Sequence, residues 1–180
     1  LIAVRAKLSS DIQGGSMLAV QATEEKLISM PMNGVEIASV NSENSRVFSG
    51  DNADIEFFAM NLDKESIPYI RLNTDRAYHS RFFEEASYEL GRQARKVTLE
   101  KPKLPWYSTV TGDLVSDDQA VSPDYWQKNL RNQVLFDKAL SGMIDDNAVF
   151  IEIGPEQVLS SLISKKIRNL KGSRYCSSLP

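Results

Sequence analysis

The spacing of apolar positions shifts along this chain, and each change of period predicts a new element. In "LIAVRAKLSSDI", Leu1, Val4 and Leu8 fall on one helical face. Behind Gly14-Gly15, "SMLAVQ" reads as a short strand and "TEEKLISM" as a brief helix with Thr23 as its N-cap. In "GVEIASVN", Val35, Ile37 and Ser39 alternate with Glu36, Ala38 and Val40, the period-two pattern of a strand. "SRVFSG" follows the polar "SENS" turn, so the two strands are expected to form a hairpin. "DNADIEFFAMNLDKESI" offers Asp51 or Asn52 as a cap, then Ile55, Phe58, Ala59 and Leu62 at helical spacing, and "PYIRLN" closes as a strand. The order is β-α-β-β-α-β, a ferredoxin-like arrangement. That arrangement serves many functions and by itself implies none.

Beyond Asn73 the texture changes. "SRFFEEASYELGRQARKV" places Phe83, Ala86, Leu90 and Ala94 on one stripe with charge opposite, which predicts a helix. "LPWYSTVTG" predicts a strand running into a Thr-Gly turn. "SPDYWQKNL" predicts a short helix behind a Ser-Pro start, and "LFDKALSGMI" another, with Phe136, Leu140 and Met143 at helical spacing. "AVFIEIGPEQVLSSLISKKI" reads as a buried strand, a Gly154-Pro155 break, and a helix opened by proline in its first turn. A strand passing into a helix through a glycine turn suits a parallel sheet with flanking helices, and "SRYCSSLP" is expected to supply a last edge strand.

Composition narrows the function classes. The 180 residues are 42% hydrophobic and 25% charged, and 21 Lys and Arg against 24 Asp and Glu give a net charge of −3. No overall positive field exists to hold nucleic acid or an anionic membrane, and the predicted strands offer Phe48 and Tyr69 but few cations for an RNA-binding sheet face. The local exception is "SKKIRNLKGSR", with Lys165, Lys166, Arg168, Lys171 and Arg174. It reads either as a solvated helix end, where cations suit the negative pole of the dipole, or as a docking surface for an acidic partner. The single cysteine, Cys176, excludes an internal disulfide and a cysteine-based metal cluster. No apolar run approaches the roughly 18 residues of a membrane span, no signal-peptide pattern opens the chain, and a cytoplasmic location is expected.

Four ordered motifs carry a resemblance over essentially the whole chain: "AYHS", "YSTVTG", "YWQKNLRNQVLF" and "FIEIGPEQVL". In that order and spacing they resemble the acyltransferase domain of modular polyketide synthases, whose relatives include the malonyl-CoA:acyl-carrier-protein transacylases. The resemblance implies an α/β fold: an α/β-hydrolase-like large subdomain, here residues 1–15 and 74–180, with an inserted ferredoxin-like small subdomain at 16–73. It implies transfer of a malonyl-type unit from coenzyme A, through an acyl-serine, to an acyl carrier protein. The partners would then be that carrier protein, with its phosphopantetheine, and the ketosynthase domain of the same synthase. No cofactor or metal of the domain's own is called for.

The resemblance also assigns roles to residues. The sole histidine, His79 in "RAYHS", stands where the family has its general base. An imidazole titrating near neutrality can accept a serine proton and return it to a departing thiol. Arg5, in "VRAKL", matches the arginine that receives the free malonyl carboxylate, a task for a bidentate guanidinium fork. Asn129, in "QKNLR", matches the position whose backbone carbonyl takes the second imidazole N–H and fixes its tautomer. Where malonyl-selective members show "HAFH" and methylmalonyl-selective ones "YASH", this chain has "RAYH". Tyr78 implies a small pocket at the malonyl α-carbon, and Arg76, also placed at the substrate, fits neither pattern. The family's Gly-His-Ser-x-Gly nucleophile elbow occurs nowhere in the chain. The sequence is therefore expected to be the C-terminal part of such a domain, inactive by itself. Two alternatives remain at this point: a non-catalytic docking remnant, and a hydrolase that clears stalled acyl groups.

Overall fold

A computed structural model of the chain describes residues 1–145, 147–155, 157–168, 172 and 174–178. Helix α1 (Ile2–Asp11) precedes β1 (Ser16–Val20), the single-turn α2 (Glu24–Leu27), β2 (Val35–Ser42), β3 (Ser45–Gly50), α3 (Asn52–Lys64) and β4 (Tyr69–Arg71). The four strands form one sheet in the order β2-β3-β1-β4, every neighbouring pair antiparallel. Val35 and Ile37 of β2 pack with Leu18, Val20, Phe48, Ile55, Phe58 and Leu62 between the sheet and its helices. The Phe48 and Phe58 rings lie 4.8 Å apart in that layer, and each such side chain contributes about 1.5–3 kcal/mol by leaving water. The Asp51 carboxylate caps α3 by accepting the Ala53 N–H at 2.7 Å. A bulge between Ile37 and Ser39 breaks the alternation of β2, so Ala38 and Ser39 are both buried.

The opposite face of the sheet carries a smaller cluster, Met17, Ala38 and Val47, with Tyr78 packed against it. Tyr78 also meets Phe83, Leu90 and Leu130, which join Leu1 and, from α1, Val4 and Leu8. Phe83 closes a 3-10 turn (Arg81–Phe83) that leads into α4 (Glu84–Ala94); α5 (Asp117–Ala120), α6 (Pro123–Arg131) and α7 (Phe136–Met143) follow. Of the segment 104–112, expected to be a strand running into a Thr-Gly turn, the turn forms but the strand is reduced to a single bridge between Tyr107 and Leu114. The buried Ser108 hydroxyl accepts the N–H groups of Val110 and Thr111, and Gly112 adopts φ +74°, so these groups serve the turn rather than a ladder.

Strand β5 (Val149–Glu152) pairs in parallel with β6 (Arg174–Ser177), with α8 (Val158–Ile167) between them in sequence. Pro155 does not open α8, which begins at Val158; the Glu152 carboxylate meets its first turn, accepting the N–H groups of Leu159 at 2.9 Å and Ser160 at 2.7 Å. Nor is β5 buried on both faces: Phe150 packs inward, while Val149, Ile151 and Ile153 are exposed. Lys165 and Lys166 end α8, and Lys166 pairs with Asp137 of α7; Lys171 lies outside the described residues. Among the described residues no helix is long and apolar enough to cross a membrane.

The two passages into and out of residues 16–73 run side by side. Gly14 bridges Arg76, and a Cβ on Gly15 would stand 2.7 Å from the Ala77 Cβ.

Candidate active site

His79 sits in the turn between β4 and the 3-10 turn, with φ +57°, a left-handed conformation rare outside glycine. The buried Ser80 beside it holds that turn. Its hydroxyl donates to the Ala77 carbonyl at 2.5 Å and accepts the Phe82 N–H at 3.4 Å. The imidazole Nδ1 lies 2.8 Å from the carbonyl oxygen of Asn132. A carbonyl can only accept, so Nδ1 carries the proton and the Nε2 lone pair is left for chemistry.

The orienting carbonyl is thus that of Asn132, not of Asn129. Asn129 lies inside α6, and its side-chain oxygen instead accepts from Nη1 of Arg5. At Asn132 the helix has ended (φ −76°, ψ 158°), which frees its carbonyl to turn away from the helix axis. The chain then runs beside β2: the Val134 N–H donates to Ala38 and the Val40 N–H to Val134, each at 2.8 Å.

Arg5, on α1, is half-buried, and among the described residues it forms no ion pair; burial lowers its pKa. Arg76 is committed elsewhere. Its guanidinium donates to the carbonyls of Ile12 (3.0 Å) and Ser10 (3.4 Å), at the C-terminal end of α1, and pairs with Asp75 at 2.5 Å. Those bonds hold Arg76 against the C-terminal end of α1, and it does not line the cleft at His79. Tyr78 packs inward, its ring 5.0 Å from that of Phe83, rather than lining the open space at His79.

That space is a cleft of about 550 Å³ lined by Glu36, Ile37, His79, Val110, Arg131, Asn132, Gln133 and Leu135. Glu36, Arg131 and Asn132 were not singled out by the sequence. The signals lay in a charge on an alternating strand and in the two residues after "NL" of the third motif. Arg131 donates through Nε to Glu84 (2.6 Å) and through Nη2 to Glu36 (2.9 Å). Accordingly the Glu84 carboxyl is held below its usual range by Arg131, while the two carboxylates outweigh burial and raise the Arg131 pKa. The His79 pKa falls below its ordinary value of 6.5: burial disfavours the imidazolium, and the charges of Arg5 and Arg131 outweigh, with it, the opposing Asn132 carbonyl. Among the described residues no group of three or more His, Cys, Asp or Glu side chains is placed to hold a metal ion.

An α/β chain with an oriented imidazole and a half-buried guanidinium that forms no ion pair among the described residues has the parts for moving a proton beside an anionic group. The sequence pattern of the acyl transferase domain matches residues 1–180, and the chain belongs to that family. It is 33% identical over 178 residues to the polyketide synthase GfsB of Streptomyces halstedii, a match covering 96% of this chain and 3% of that protein. The acyl transferase domain of SpnD, solved in complex with 2-(pent-4-yn-1-yl)malonyl, superposes with a TM-score of 0.90 at 25% identity, over 98% of this chain and 43% of that one. The malonyl CoA-acyl carrier protein transacylase of Clostridium perfringens shares the fold, with a TM-score of 0.86 at 24% identity over 98% of this chain and 58% of that one.

Proposed function

We propose that this chain is part of an acyltransferase domain that moves a malonyl-type unit from coenzyme A to an acyl carrier protein in polyketide assembly. In this reading residues 16–73 are the ferredoxin-like small subdomain, and residues 1–15 and 74–180 belong to an α/β-hydrolase-like large subdomain. The exposed Val149, Ile151 and Ile153 suit a sheet that continues in chain outside these residues. That segment would also carry the serine nucleophile.

The observation that carries the proposal is the His79–Asn132 contact. The serine hydroxyl gives its proton to Nε2 as it attacks the thioester carbonyl. The tetrahedral adduct collapses, and Nε2 returns the proton to the departing coenzyme A thiolate. In the second half, Nε2 takes the proton of the carrier's phosphopantetheine thiol as its sulfur attacks the acyl-serine carbonyl, and returns it to the serine oxygen that leaves. A base must be neutral to act, and burial, with the charges of Arg5 and Arg131, favours the neutral imidazole. Arg5, which pairs with no carboxylate among the described residues, receives the free carboxylate of the malonyl group.

In the domain that joins this chain to its nucleophile segment, His79→Ala should slow acyl-enzyme formation from malonyl-CoA by about 10²-fold or more while the circular dichroism stays unchanged. Intact-protein mass follows the adduct. Acylation near the wild-type rate would refute the role of His79.

A further inference from the structure

The contact that fixes the imidazole joins two chain segments, and one carboxylate holds both. Glu36 Oε1 accepts the backbone N–H of Arg81 at 2.7 Å, two residues beyond His79. Glu36 Oε2 accepts Nη2 of Arg131 at 2.9 Å, one residue before Asn132. Glu36 stands on β2, the strand whose Ala38 and Val40 also bond Val134 just after Asn132. All four of Glu36, His79, Arg131 and Asn132 line the same cleft. We propose that Glu36 is a positioning residue for His79: its carboxylate ties the histidine-bearing turn to the carbonyl-bearing end of α6.

This rests on the reading of His79 as the proton-transfer group, but it makes a claim about the imidazole that can be tested without turnover. Among the described residues, the charges acting on His79 are Arg5 from α1 and Arg131 from α6; Arg131 is paired with Glu84 from α4 and Glu36 from β2, and Glu36 also stands 4.0 Å from the guanidinium of Arg81, which pairs with Asp54. Removing Glu36 leaves Arg131, among the described residues, paired with Glu84 alone and frees the two segments to part. The unmasked cation and the weakened carbonyl bond both disfavour the imidazolium, so they act in the same direction.

The test is histidine-selective ¹⁵N labelling of the acyltransferase domain containing this chain, the His79 signal being the one lost in His79→Gln. In the wild type, Nδ1–H should give a downfield, slowly exchanging proton. In Glu36→Ala that proton should exchange at least about 10-fold faster, and the titration midpoint of His79 should fall. Glu36→Gln keeps an acceptor for the Arg81 N–H but loses the charge; it should retain more of the exchange protection than of the midpoint. Arg131→Met breaks the same tie from the other side and should also expose Nδ1–H, which keeps the question answerable if Glu36→Ala does not fold. A lowered unfolding temperature with an unchanged Nδ1–H signal and midpoint in these variants would overturn the proposal, leaving Glu36 a merely structural residue. Failure of the His79 base role would instead appear as unimpaired acylation in His79→Ala, whatever Glu36 does.

Discussion

Arg5 brings a full positive charge into a half-buried position where its hydrogen bond is to the neutral oxygen of Asn129. An anionic group arriving beside it gains a charge-assisted, two-pronged contact that a neutral group does not. In the complete domain, Arg5→Ala should therefore reduce malonyl transfer by about 10²-fold or more while leaving acetyl transfer equal or improved. Arg5→Lys should recover only part, since a point charge lacks the fork. Rates for malonyl-CoA and acetyl-CoA measured side by side decide the matter; a parallel decline would mean that Arg5 only supports α1. At this scale the sequence was legible where chemistry resides in side-chain type and opaque where it resides in the main chain. A lone histidine in "RAYHS" stands out, but every residue has a carbonyl, and nothing in the side chains of Asn129 and Asn132 says which one turns toward Nδ1. The partners of Arg76 were opaque for a different reason: the carbonyls of Ser10 and Ile12 that accept from it are more than sixty residues away in sequence.

Helix α8 starts without a side-chain cap on its own N-terminal residue, and Glu152 of β5 supplies the acceptor from across the Gly154-Pro155 turn. Burial pushes the Glu152 carboxyl up, but the N–H groups of Leu159 and Ser160 outweigh it, and its pKa lies below the ordinary 4.5. A carboxyl whose pKa is depressed by folding stabilises the fold above its unfolded value, and that stabilisation is lost as pH falls. Glu152→Gln should thus lower the thermal unfolding midpoint at pH 7, and the gap from wild type should close as pH drops through the carboxylate range. A gap that persists unchanged at pH 3 would count against the cap. Elements were legible wherever period and cap agreed, as in β2, β3 and the Asp51-capped α3. They were misread where a side chain competed with the backbone: Ser108 bonds within the Thr-Gly turn where a strand was expected to lead into it, and Glu152 meets the start of α8 in place of Pro155.

Residues 16–73 leave and rejoin the remaining chain at one place, where Gly14 lies against Arg76 and Gly15 against Ala77. Gly14 and Gly15 both have positive φ, +80° and +97°, but only Gly15 lacks room: a Cβ would meet the Ala77 Cβ at 2.7 Å and its nitrogen at 2.8 Å, whereas nothing lies within 4 Å of one on Gly14. Gly14→Ala should cost about 1–2 kcal/mol from the backbone conformation alone. Gly15→Ala should cost more, by about 1–3 kcal/mol of overpacking. Denaturant unfolding of the two variants side by side tests this, and equal losses would mean the two passages can part freely. The sequence marked this place only by the Gly14-Gly15 pair; its partner at Arg76-Ala77 required the folded chain.

A stretch whose two ends touch can be exchanged for a relative's version without rethreading the rest. Recombination at this crossing would carry position 36 with the incoming stretch and leave His79 behind in the host. By the assignment above, a hybrid would then inherit the proton affinity of its base from one parent and the base itself from the other.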